Sequence, residues 1–199
     1  MLRTKSWTAL AGVCVGCALA AYPAGAADEP RPTSVEELDK LPAGLTVTHY
    51  TQPALAAETP NAKGLNKYTW FFKTTVRATD GDVNLTEFGC FSQAGRTWVF
   101  NTISGKPFTP KDFNDWYTCP KAALKKGKDY TDPRNWVTDA ALRAGKVRWY
   151  YIGVDGSGRR VKGESTIELK AEIDRTAPAN AARHLPGDLK TLFELARAR

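Results

Sequence analysis

The sequence predicts a mainly β fold: an antiparallel β-sandwich of immunoglobulin-like architecture with a short helical insertion and a C-terminal amphipathic helix, and a β-barrel as the alternative. Three observations carry that expectation. From Tyr68 to Ala78, Trp70, Phe72, Thr74 and Val76 fall on one face and Lys73, Thr75 and Arg77 on the other, the two-residue period of a half-buried strand. Two hairpins follow, turning at Gln93-Ala94-Gly95 and at Asp155-Gly156-Ser157-Gly158. Cys90 and Cys119 form an isolated pair of the kind that staples exported sandwiches.

Taken in chain order, Arg3 and Lys5 precede the uncharged stretch from Trp7 to Tyr22, and Ala24-Gly25-Ala26 is a small-x-small cleavage site. Residues 1–26 therefore read as a signal peptide, which sends the chain to the periplasm or the extracellular space. An uncleaved membrane anchor is a second reading, since no charge occurs from Trp7 to Ala27, although Gly12, Gly16 and Pro23 make a poor helix. A lipoprotein is a third, resting on Cys14-Val15-Gly16-Cys17, where Cys14 occupies an aliphatic position. Residues 27–174 form the sandwich domain, interrupted by an insertion at 103–146, and residues 175–199 form a linker and the terminal helix.

Within the domain, Ser34-Val35-Glu36-Glu37 is a capping box that opens a short helix ending before Pro42. Leu45 to Tyr50 alternates as a strand, and Thr51 to Asn66, with Pro53, Pro60 and Gly64, reads as a long loop. Strands are expected at Val83 to Phe91, Arg96 to Thr102, Val147 to Val154 and Arg159 to Leu169, the last with Gly163 breaking its apolar stripe. In the insertion, Thr109-Pro110-Lys111-Asp112 starts a helix over residues 110–117, and Thr138 to Ala144, stopped by Gly145, suggests another. Leu189, Leu192, Phe193 and Ala196 give the terminal segment its apolar face.

The formal net charge is +7, and removal of the leader takes away Arg3 and Lys5 and no acid, leaving +5. Outside the cytosol such a charge suits a protein face, acidic polysaccharide or anionic lipid rather than nucleic acid. Removing the leader also leaves Cys90 and Cys119 as the remaining cysteines, expected to form a disulfide worth about 3 to 4 kcal/mol in the chain-entropy model. With thiols bridged and His49 and His184 far apart in sequence, neither a nucleophilic triad nor a transition-metal site is legible. No cofactor is expected. Asp80, Asp82 and Asn84 have the alternate spacing of a calcium loop, but Leu85 replaces its glycine and Phe91 its final glutamate, so a turn is the competing reading.

Chemistry aside, aromatic residues are the notable enrichment. Trp116, Tyr117, Tyr130 and Trp136 share the insertion with Lys125, Lys126 and Lys128, a basic and aromatic loop suited to a protein partner once pinned by the disulfide. Phe71 and Tyr150 oppose the inward stripes of their strands and are candidates for stacking on sugar rings. The expected function is a non-catalytic accessory or structural module that binds a protein in the cell envelope. Alternatives are a glycan-binding module and a carboxylate hydrolase, for which spacing selects no pair of acids.

Overall fold

The computed structural model describes residues 33–58 and 67–176. The leader, residues 59–66 and the expected terminal helix lie outside them. The chain is mainly β. Its elements are α1 (Val35–Lys40), β1 (Leu45–Tyr50), β2 (Ala54–Glu58), β3 (Tyr68–Ala78), β4 (Val83–Ala94), β5 (Thr97–Phe100), α2 (Pro110–Tyr117), β6 (Ala123–Leu124), β7 (Asp129–Asp139), β8 (Gly145–Asp155) and β9 (Arg160–Ile173).

All nine strands of the described residues belong to one open, mixed sheet that folds over into a sandwich-like arrangement rather than closing as a barrel. Along one layer β7 pairs with β3 over most of its length. The other edge of β3 is divided, with β1 beside Lys73–Ala78 and β2 beside Tyr68–Trp70. The second layer runs β9, β8, β4, β5 in antiparallel order. A parallel pairing of β2 with β9 joins the layers. Phe72 of β3 meets Trp149 of β8 edge to face at 6.4 Å between centroids, so the inward stripes of both layers share one core.

That packing explains the break in the β9 stripe. A Cβ on Gly163 would lie 2.6 Å from Leu45 Cβ and 2.7 Å from the Leu45 carbonyl oxygen, so only glycine lets β1 approach there. Outward, α1 covers β4 and β8. Its Ser34 hydroxyl accepts from the Glu37 N–H at 3.2 Å while the Glu37 carboxylate accepts from the Ser34 N–H at 3.0 Å, the reciprocal cap expected. Leu38 then seals Phe91, Tyr150 and Ile152, and Arg148 binds both Asp39 of α1 and Glu164 of β9.

The helix at 110–117 forms as expected, with Thr109 and Asp112 capping each other and Pro110 in the first turn. Phe113 and Tyr117 project from it into the core against Phe88 and Tyr151. The insertion, however, is more than helical. Residues 129–139 make a full strand against β3, and the helix expected at Thr138 to Ala144 is absent. Thr138 and Asp139 complete the ladder with Thr69 and Tyr68, and the Asp139 carboxylate then accepts from the Ala141 N–H at 3.0 Å to turn the chain. Likewise the supposed loop after Tyr50 contains β2.

The expected disulfide is also corrected: Cys90 and Cys119 are both free thiols. Cys90 stands opposite Trp149, and its Sγ–H donates to the Asn101 carbonyl at 2.7 Å. Cys119 instead faces the Tyr130 hydroxyl, which sits against Ala123 and Lys125 beside the start of β4. About 20 Å of strand separates that start from Cys90, at the usual rise per residue, whereas a bridge needs Cα atoms within about 7 Å. Among the described residues no helix is long and apolar enough to cross a membrane.

Candidate functional site

Where β4 turns into β5, the space between the layers opens to solvent. The result is a cleft of about 390 Å³. Its floor is Trp70, Val137, Val147 and Leu169, the ends of four inward stripes. Val99, opposite Ser92 on β4, borders the same cleft and remains 53% exposed. The rim is charged and mixed. Arg143 Nε donates to Asp139 at 2.6 Å, and Lys146 pairs with Glu168 at 3.2 Å. An apolar floor with a few polar groups at the mouth is the usual composition of a ligand site.

Asn101 and Val137 also border a smaller cavity of about 50 Å³ behind the cleft, lined by Cys90, Phe108, Trp136 and Trp149. Burial holds the Cys90 thiol far above its ordinary pKa, so it is neutral and no nucleophile. The indole N–H of Trp149, buried with its ring, has no acceptor among the described residues.

A separate polar chain crosses the core and is sealed from both spaces. The Ser165 carbonyl can only accept, so His49 donates to it from Nε2 at 3.2 Å. Burial lowers the His49 pKa to about 4, the Ser165 bond only partly opposing this, and the ring is neutral. Its Nδ1 therefore accepts the Thr74 hydroxyl at 2.9 Å, and Thr74 in turn accepts from Asn135 Nδ2 at 3.0 Å. Close by, the Tyr117 and Tyr151 hydroxyls bond at 2.5 Å. Asp132, pushed up to about 6 by burial against the opposing Arg134 N–H and charge, completes the group. With every described member engaged and buried, this chain ties strands together and offers no surface to a substrate.

The residues singled out from sequence are dispersed. Tyr117, Tyr130 and Trp136 are core residues and Trp116 is half-buried, whereas Lys125, Lys126 and Lys128 are exposed; of the rings, Tyr130 meets the lysine run, with Lys128 Nζ 5.1 Å from its centroid and its hydroxyl accepting from the Lys125 N–H at 3.2 Å. Tyr150, expected outside, is fully buried beneath α1. Phe71 is half-buried, with the Arg134 guanidinium over its ring. Asp82 accepts from Lys125 Nζ at 2.7 Å and from the Lys126 N–H at 2.9 Å, with Asp80 and Asn84 on either side of it in the turn and first residues of β4. Among the described residues no group of three His, Cys, Asp or Glu side chains is arranged to hold a metal. The cleft residues escaped the sequence reading, and the signal that could have found them was Val99, an apolar residue alternating with Trp98 and Phe100 on a four-residue strand.

No protein-family model matches the chain, and no curated protein does. A crystal structure of a Bordetella pertussis protein provisionally designated ApaA is similar over 68% of this chain and 98% of its own, at 13% identity and a TM-score of 0.37.

Proposed function

We propose that the protein is an exported, non-catalytic module that binds an extended segment of a protein partner in the cell envelope, at the cleft rather than at the basic insertion. The observation that carries this reading is Val99, a large apolar residue left 53% exposed on the edge strand β5 above an apolar floor. Among the described residues β5 pairs only with β4. Its outer edge thus presents backbone donors and acceptors, and a partner strand laid along it would drop alternate side chains into the cleft. The paired charges of the rim suit a peptide backbone and mixed side chains better than a polyanion.

The test is a pull-down from native envelope extract with intact-mass measurement, comparing the wild type with Val99→Lys and with charge reversal at Lys125 and Lys126. A partner should be retained by the wild type and by the lysine variants and lost by Val99→Lys at unchanged melting temperature, with a mass that begins at Ala27. A wild type that elutes alone, or a partner lost only by the lysine variants, would sink the reading.

A further inference from the structure

The chain leaves β9 at the same end of the sandwich as the cleft. Leu169, which lines the cleft, is the last residue of β9 to pair with β8, opposite Gly145. Beyond it β9 runs beside β2, where Ala56 stands between Ile173 on one edge and Trp70, another lining residue, on the other. Two strand spacings, about 10 Å, therefore separate the exit from the cleft floor. Two bonds hold the exit there. The Asp174 N–H donates to the Ala56 carbonyl at 2.7 Å, and the Trp70 indole N–H donates to the Lys170 carbonyl at 2.8 Å.

Residues 177–199 continue from that exit and lie outside the described residues. Their sequence sets Leu189, Leu192, Phe193 and Ala196 at the spacing of one helix face, with Asp188, Lys190, Glu194 and Arg197 on the others. A helix that short is marginal in water unless its apolar stripe is covered. Among the described residues the large apolar side chains left exposed are Tyr50 and Val99, and Tyr50 carries the Lys73 ammonium over its ring at 3.9 Å. Val99 and the floor beside it are the apolar surface that remains. At about 390 Å³ the cleft is more than twice the size of a cavity that takes benzene, room for a phenyl ring and a leucine side chain together. From Asp174 to Leu189 the chain reaches roughly 50 Å when extended, several times the distance to be covered. Such a tether sets a local concentration of about millimolar, so a contact too weak to join separate molecules suffices.

We propose that residues 186–199 occupy the cleft of their own chain, Phe193 and an adjacent leucine covering Val99 and the apolar floor, and that a partner segment enters by displacing them. This rests on the cleft described above and not on the identity of its partner. The tail is an internal competitor, and the partner's apparent affinity falls with the fraction of molecules whose cleft is open.

The test compares the full chain, ¹³C-labelled at valine and leucine methyls, with Phe193→Asp and Val99→Lys. The Val99 signals are identified by their absence from Val99→Lys, and the core methyls of Leu38 and Val161 report that each variant is folded. Phe193→Asp should move the Val99 methyls to the shifts of an exposed valine, and both variants should speed tryptic cleavage after Lys190 by about tenfold, since a covered segment is cut only when it opens. Neither readout of the wild type should change on about tenfold dilution, as an intramolecular contact requires. Val99 methyls that ignore Phe193→Asp, or cleavage that ignores both variants, overturn the proposal. Val99 signals that move on dilution assign the cleft to a second copy and overturn it as well. In the pull-down, Phe193→Asp should raise retention of the partner by about three- to tenfold, where Val99→Lys abolishes it. If Val99→Lys abolishes retention while Phe193→Asp leaves the Val99 methyls unmoved, the tail proposal falls and the cleft reading stands. If Phe193→Asp moves them and no partner is retained by any form, the tail proposal stands and the partner reading falls.

Discussion

Tyr117 on α2 and Tyr151 on β8 join their hydroxyls at 2.5 Å in the middle of the core, so the helix is fastened to the sheet by a polar bond as well as by ring packing. Both phenols are held well above their ordinary pKa, chiefly by burial. They stay neutral across the physiological range, each able to donate to the other.

Removing either hydroxyl leaves its partner buried with one bond fewer. Tyr117→Phe and Tyr151→Phe should each destabilise by about 1 to 3 kcal/mol in urea unfolding, and the double variant by less than their sum. Strict additivity would show that the bond contributes nothing.

The pH dependence contains two opposed slopes. Burial lowers the folded His49 pKa to about 4 from 6.5, so its contribution is complete above about pH 6.5 and is lost as pH falls toward 4. Burial raises that of Asp132 to about 6 from 3.8, so the folded chain holds the extra proton and stability declines as pH rises through that window. Asp132→Asn keeps the acceptor for the Arg134 N–H and removes the second slope. It should raise stability at pH 7 by up to about 3 kcal/mol and leave stability climbing between pH 4 and 6.5. Urea titrations at several pH values check this, and a variant that keeps the wild-type profile would refute it.

Glycine at 163 is required by the approach of Leu45. Gly163→Ala should cost about 1 to 3 kcal/mol, the usual range for overpacking. Gly156→Ala, whose added methyl would meet nothing within 4 Å, should fall within about 0.5 kcal/mol of the wild type. Thermal melts of the pair decide the point.

The thiols provide a chemical check. Unfolded without reductant, Cys90 and Cys119 should both be labelled by a maleimide, and reductant should leave the melting temperature unchanged. Labelling that requires prior reduction would restore the bridge and contradict the separation of Cys90 on β4 from Cys119 after α2.

Local pattern was enough wherever a segment buries one face against its sequence neighbours. The stripe of Trp70, Phe72, Thr74 and Val76, the hairpins at Gly95 and Gly158, and the caps at Ser34 and Thr109 are all legible, because alternation and capping are satisfied within a few residues. Three strands were not, the two-residue β6 among them. Ala54–Glu58 has little intrinsic β preference and is a strand because β3 and β9 flank it. Residues 129–139 carry Pro133, and a register shift opposite Phe72 and Thr74 breaks their alternation.

The sequence by itself determined the class of fold, the inward stripes and the sites of the main turns. Only the tertiary structure decided which rings are covered, that Cys90 and Cys119 lie apart, and where the sandwich is left open. Periodicity assigns a residue to a face, but burial depends on what lies across from that face. Tyr150 is covered because α1 folds back over it, and Val99 is bare because it borders the open cleft.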